Sequence, residues 1–261
     1  MGELLNGKRG LVMGVANDRS IAWGIARALA DQGAELAFAY QGEAFGKRVE
    51  PLAASVGSDF LVDVDVTDDA SLDAAFAAIN DRWGKLDFLV HAIAFSNKDE
   101  LTGRFINTSR SNFKHSLEIS CYSLIEVARR AHPMMAPGSS IITLTYGGSN
   151  RVTPFYNVMG VAKAALESTV RYMANDLGKD GIRVNAISPG PMKTLAGAAI
   201  GGARKTFRHT QENAPLGNAT LESIGGTAVW LTSDWGASTT GEIVMVDGGY
   251  HVLGMPQSEN I

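Results

Sequence analysis

The chain has 261 residues, 45% of them apolar and 19% charged, with a formal net charge of -4. This is ordinary globular composition, long enough for one large α/β domain with its own core. It excludes a global basic footprint for nucleic acid, and no run of apolar residues is long enough to span a membrane.

The single cysteine, Cys121, rules out an intrachain disulfide and fits a reducing, cytoplasmic setting, with a small buried side chain as its plain role. The opening MGELLNGKRG lacks the apolar run of a signal peptide. RGLVMGV (9–15) reads as a first strand, 21–32 as a helix ending at Gly33, and AELAFAY (34–40) as a second strand. DFLVDV (59–64) follows, then a helix over about 69–82, then LDFLVHAI (86–93). A helix is expected over 111–135, a strand at SSIITLTY (139–146), and a long helix over 156–177. IRVNAIS (182–188), a helix at about 221–233 and EIVMVDGG (242–249) close the series. Alternation of apolar strands with amphipathic helices predicts a single-domain, Rossmann-like, doubly wound α/β fold with a seven-stranded parallel sheet. Residues 94–110 and 190–218 break the rhythm. Both follow strands, at the carboxyl edge where open α/β sheets bind ligands, and the second reads as a substrate-binding loop.

The first strand runs into GVANDRSIAWGIA (14–26), without the usual G-x-G-x-x-G. Gly14 still permits a tight turn, and Ser20 could cap the helix while its hydroxyl and nearby amides meet a phosphate. Ala22 and Gly24 would keep the helix close to the sheet. A plain strand–turn–helix satisfies the same pattern. At the end of strand two, Gln41 is neutral, which favours NADH over NADPH. Asp65 and Val66 suit an adenine edge, although Asp65 equally suits a helix N-cap. The small residues after His91 let a cofactor pass.

The stretch YGGSNRVTPFYNVMGVAK (146–163) carries the chemistry. Tyr156 and Lys163 stand seven apart, nearly two helical turns, which would put them on one face. A lysine there can hold ribose hydroxyls and favour the anionic form of a nearby phenol. A helix-face tyrosine and a snorkelling lysine fit the same spacing.

Taken with RVNAISPGPMKT, HAIAFS and GEIVMVDGGY, this stretch resembles the enoyl-acyl carrier protein reductases of bacterial type II fatty acid synthesis. These are a branch of the short-chain dehydrogenase/reductases, and the resemblance covers essentially the whole chain. Most short-chain reductases have tyrosine four residues before the lysine, where this chain has Met159; in this branch the shifted tyrosine is the rule. The resemblance implies NADH-dependent reduction of a trans-2-enoyl thioester, with no metal. Tyr156 would stabilise the enolate oxygen, Lys163 would bind the nicotinamide ribose, and Tyr146 would position substrate or relay a proton. Gly14, Ser20, Ile21, Gln41, Asp65, Val66, Ile93, Lys163, Met192 and Thr194 would touch the cofactor, Met192 replacing an aliphatic residue common in the family. Thr194 could also cap the helix after it. Phe95, Tyr146, Tyr156, Met159, Ala196, Ile200 and Phe207 are expected at the acyl pocket. Arg204, Lys205 and Arg208 form a basic cluster suited to an anionic acyl carrier protein, or simply a solvated face. A homotetramer is the family's usual state. The rivals are a ketoacyl reductase, an enoyl-coenzyme A reductase and a non-catalytic nucleotide-binding regulator.

Overall fold

The strands of this protein are apolar on both faces, and the two faces meet different helices. In the computed structural model, which describes residues 2–195, 197 and 201–260, seven strands pair in parallel in the order β3-β2-β1-β4-β5-β6-β7. They are β1 (Arg9–Met13), β2 (Glu35–Tyr40), β3 (Leu61–Asp63), β4 (Phe88–His91), β5 (Ser140–Leu144), β6 (Arg183–Pro189) and β7 (Ile243–Val246). Each strand is shorter than the apolar run that predicts it, except β6, which extends through Pro189.

Side chains alternate across the sheet, as strand geometry demands. Leu11, Ala37, Leu89, Ile141 and Val184 face one core, with α3 (Asp69–Trp83), α5 (Ser123–Ala131) and α6 (Asn157–Leu177). Val12, Phe38, Val90, Ile142 and Ile187 face the other, with α1 (Ile21–Asp31), α2 (Glu43–Ser55) and α8 (Leu221–Thr232). Each Leu, Ile, Val or Phe buried this way contributes about 1.5–3 kcal/mol. The fold is therefore the expected doubly wound one. Its strand order reverses between β1 and β4, which opens a crevice at their carboxyl ends.

Two segments differ from expectation. The helix expected over 111–135 is α4 (Arg110–Leu117), one π-helical turn (Glu118–Tyr122), α5 and a 3-10 turn (His132–Met134). The excursion at 190–218 contains a regular helix, α7 (Ala203–Asn213). Its ARKTFRHTQEN is rich in good helix formers and starts after a left-handed Gly202. Gly24 does not face the sheet: a Cβ on it would come 2.8 Å from Leu221 Cβ, so it admits α8 against α1. No helix among the described residues is long and apolar enough to cross a membrane.

Candidate active site

After β5 the chain passes Thr145 and Tyr146, makes a 3-10 turn (Gly147–Ser149), and returns to start α6. This brings Tyr146 and Tyr156 edge to face, ring centroids 5.1 Å apart at 71°. The Tyr156 ring lies over Gly148, where a Cβ would stand 2.6 Å from its Cδ1. Leu101, Val158 and Met159 bury it, leaving Tyr156 6% exposed. Burial pushes its phenol well above the ordinary tyrosine range, with the Tyr146 and Glu167 charges acting the same way. Tyr156 is a neutral O–H donor. The seven-residue spacing does not by itself put Tyr156 and Lys163 on one helical face. Tyr156 is the N-cap residue and Asn157 has φ 35°, so helical phase does not reach back to the tyrosine.

Lys163 is 5% exposed, and its Nζ donates to Leu144 O at 2.8 Å. Burial lowers its ammonium to about 8, against smaller raising effects from Cys121 and Glu167. Glu167 accepts from Thr145 Oγ1 at 2.6 Å. His91, wholly buried at the end of β4, sits between Thr143 Oγ1 (3.1 Å) and Ser123 Oγ (2.8 Å). Desolvation first, and the Lys163 charge second, hold it down to about 3, so the ring is neutral. The π turn supplies Ser120, whose hydroxyl accepts from Phe95 N at 3.0 Å, donates to Phe95 O at 3.1 Å and lies 3.8 Å from Met159 Sδ. Sequence reasoning gave His91, Ser120 and Glu167 no role. Only His91 leaves a signal, an ionisable residue ending an otherwise apolar strand.

In the β1–β4 crevice Gly14 has φ 94°, and a Cβ there would stand 2.1 Å from Ala92 O. No other residue allows β1 to turn this close to the end of β4. Ser20 does not cap α1 through its side chain. Its hydroxyl instead accepts from Ala16 N (3.0 Å) and Asn17 N (3.1 Å), which folds the loop over the helix start. Asp65 is not the N-cap of α3 either; that is Asp68. Asp65 accepts from Thr67 N and Oγ1, which hold its carboxyl below the usual range, with Gln41 a smaller contributor. Gln41 is exposed beside it, while Ile21, Val66, Ile93 and Met192 are half-buried. Thr194 Oγ1 accepts from Gly197 N at 2.9 Å, a capping geometry. Ser188 Oγ, at the end of β6, is buried without a partner. A glycine turn, half-buried apolar side chains and the unmatched Ser188 hydroxyl, all toward the carboxyl ends of the strands, fit a nicotinamide dinucleotide. No cluster of metal-ligating side chains occurs among the described residues.

The acyl-side expectations are only partly assembled. Tyr146, Tyr156 and Met159 form one cluster. Phe95 turns its ring edge-on to His115 at 5.3 Å, and Phe207 lies under Lys193 Nζ at 4.3 Å. Ala196 and Ile200 lie outside the described residues. Arg204, Lys205 and Arg208 are exposed on α7.

Residues 14–251 match the family model described as Enoyl-(Acyl carrier protein) reductase. The chain is 59% identical to "Enoyl-[acyl-carrier-protein] reductase [NADH] 2" of Rhizobium meliloti, over 99% of this chain and 97% of that one. The crystal structure of FabI from Candidatus Liberibacter asiaticus shares 53% identity, with a TM-score of 0.96 over 98% of this chain and 100% of that one. An enoyl-(acyl-carrier-protein) reductase from Anaplasma phagocytophilum, solved in complex with NAD, shares 51% identity, with a TM-score of 0.94 over 99% and 97%. A family match over residues 14–251 and identities above one half have one reading: the chain belongs to the enoyl-(acyl carrier protein) reductase family.

Proposed function

We propose that this protein reduces the trans-2 double bond of an enoyl thioester carried on acyl carrier protein, using NADH. The observation that carries the reading is the buried Tyr156, packed against Met159 and Tyr146 at the entrance to the helix that bears Lys163. When bound, the dinucleotide supplies a hydride to C3 of the substrate. Negative charge then grows on the thioester oxygen, two carbons away. The Tyr156 O–H donates to that oxygen, and a donor fixed in a dry site is worth far more than one in water. Lys163 holds the ribose hydroxyls through its ammonium. Tyr146 flanks the tyrosine and orients the thioester, and C2 takes a proton from solvent as the enolate collapses to the saturated thioester.

Gly14, Ser20, Ile21, Gln41, Asp65, Val66, Ile93, Met192 and Thr194 line the dinucleotide side, the neutral Gln41 favouring NADH. Phe95, Phe207, Ala196 and Ile200 belong to the acyl side. The basic face of α7 receives the anionic carrier protein. The working form is a cytoplasmic homotetramer built through α4–α5 and α6. Exposed Tyr122, Ile125, Val161 and Tyr172 on those helices support this.

A ketoacyl reductase is disfavoured by particular contacts. The position it needs for tyrosine is the buried Met159, and the hydroxyls of Thr143 and Thr145 are already engaged by His91 and Glu167. The test is a spectroscopic assay of NADH loss with a trans-2-enoyl thioester beside a 3-ketoacyl thioester, repeated with NADPH. Oxidation with the enoyl substrate and NADH is the expected result. Turnover of the ketoacyl substrate contradicts it, and cofactor binding without any turnover points to a regulator.

A further inference from the structure

Tyr156 stands between the only two non-glycine residues with left-handed backbone among the described residues, Phe155 at φ 62° and Asn157 at φ 35°. Such conformations persist only where the surroundings impose them. Each of these residues has its own anchor. Asn157 Nδ2 donates to Glu100 O at 3.1 Å and stands 3.5 Å from Thr102 O and Gly103 O. Glu100 is fixed in turn, because its carboxylate accepts from Ser109 N and Ser109 Oγ at 2.8 Å each. The next residue, Leu101, is buried against Tyr156 and Met159. On the other side, the Phe155 ring rests on the glycine turn before α7. A Cβ on Gly201 would meet its Cγ at 3.1 Å, and one on Gly202 would meet its Cε2 at 3.0 Å.

We propose that Asn157 is a positioning residue for Tyr156: its side-chain amide, held by the carbonyls of the 100–103 loop, fixes the left-handed entry to α6 and thereby aims the phenol. The inference rests on the reading of Tyr156 as the donor to the thioester oxygen. Asparagine meets both demands of the position. It tolerates left-handed backbone better than other side-chain-bearing residues, and its NH2 gives two donors to a group of carbonyls. Aspartate keeps the backbone preference but turns an acceptor toward those carbonyls. Glycine keeps the backbone freedom and removes the anchor.

The experiment measures turnover of a trans-2-enoyl thioester and NADH affinity, by fluorescence titration, for Asn157→Asp, Asn157→Gly, Tyr156→Phe and the double variant Tyr156→Phe/Asn157→Gly. Each Asn157 variant is expected to lose about tenfold in kcat with NADH affinity within about twofold; on the Tyr156→Phe background Asn157→Gly should cost less than about twofold, since coupled residues are not additive. The glycine variant carries the test should the aspartate variant not fold. Wild-type kcat in the Asn157 variants, or the same tenfold loss on the Tyr156→Phe background, overturns the proposal. Wild-type turnover by Tyr156→Phe itself removes the donor reading and the proposal with it. A slow Tyr156→Phe beside fast Asn157 variants removes the proposal alone.

Discussion

Lys163 and Tyr156 are both buried, and burial moves their protons in opposite directions. It makes the ammonium easier to lose, near pH 8, and the phenol harder to ionise. We propose that the phenol stays a donor across the working range and that the lysine sets the alkaline limit. Below about 8 Lys163 is charged and can grip ribose hydroxyls; above it the charge is lost. We expect kcat/KM for NADH, which reports the free enzyme, to fall as pH rises through about 8. Glu167 helps keep the ammonium charged, so Glu167→Gln should move the fall to lower pH; an unmoved profile would detach it from Lys163. Lys163→Ala should weaken NADH binding about ten- to a hundredfold, the value of about 1.5–3 kcal/mol for a charged hydrogen bond. Unchanged affinity by titration would remove the ribose role. The two catalytic residue types were legible in the sequence because an O–H and an ammonium are visible in the letters. The left-handed backbone at Phe155 and Asn157 was not, because nothing in PFYN states a φ angle.

At the scale of elements, the periodicity of the chain predicted every strand and the long α6, yet missed what lies at helix ends. Apolar spacing does not mark the buried face across the π turn at Glu118–Tyr122, where the inward positions of α4 and the turn include the polar Asn112, Ser116 and Ser120. The extra residue that turns Ser120 toward Phe95 and Met159 leaves no mark in the pattern. Ser20 and Asp65 show the same limit. Both are good capping residues by type, and the side chains instead bond loop amides before the helix or within the turn. Which amide a hydroxyl or carboxylate meets depends on backbone geometry that composition does not carry. Helix contacts hidden in small residues were also misassigned. Gly24 and Gly225 let α1 and α8 touch: a Cβ on Gly225 would stand 2.6 Å from Ala28 Cβ and 2.9 Å from Gly24 O. Because one of those atoms is backbone, it cannot swing aside. Gly225→Ala should destabilise by about 1–3 kcal/mol through overpacking, seen as a lower urea midpoint with an unchanged slope. A wild-type midpoint would show that the two helices separate without cost.

Across the whole molecule, function gathers at the carboxyl edge of the sheet because the strand order reverses between β1 and β4. The dinucleotide cleft opens there, the tyrosine turn follows β5, and the segment leading into α7 follows β6. Arg204, Lys205 and Arg208 are exposed on α7, near the turn that holds Phe155, and we propose that they receive the anionic carrier protein. Reversing all three charges should slow reduction of carrier-protein substrates about tenfold or more at low salt, through the association rate, and leave coenzyme A thioesters nearly unaffected. An equal loss on both would place the cluster in the acyl site or in the fold. In the proposed function Tyr156, three residues further from Lys163 than the usual short-chain reductase tyrosine, serves the thioester oxygen. The most direct test of this role is the turnover of Tyr156→Phe with a trans-2-enoyl thioester, measured beside its NADH affinity. The expected result is a fall in kcat of about ten- to a hundredfold, in the range of a lost oxyanion donor, with affinity close to wild type. Wild-type turnover, or a loss that appears only in cofactor affinity, would contradict it.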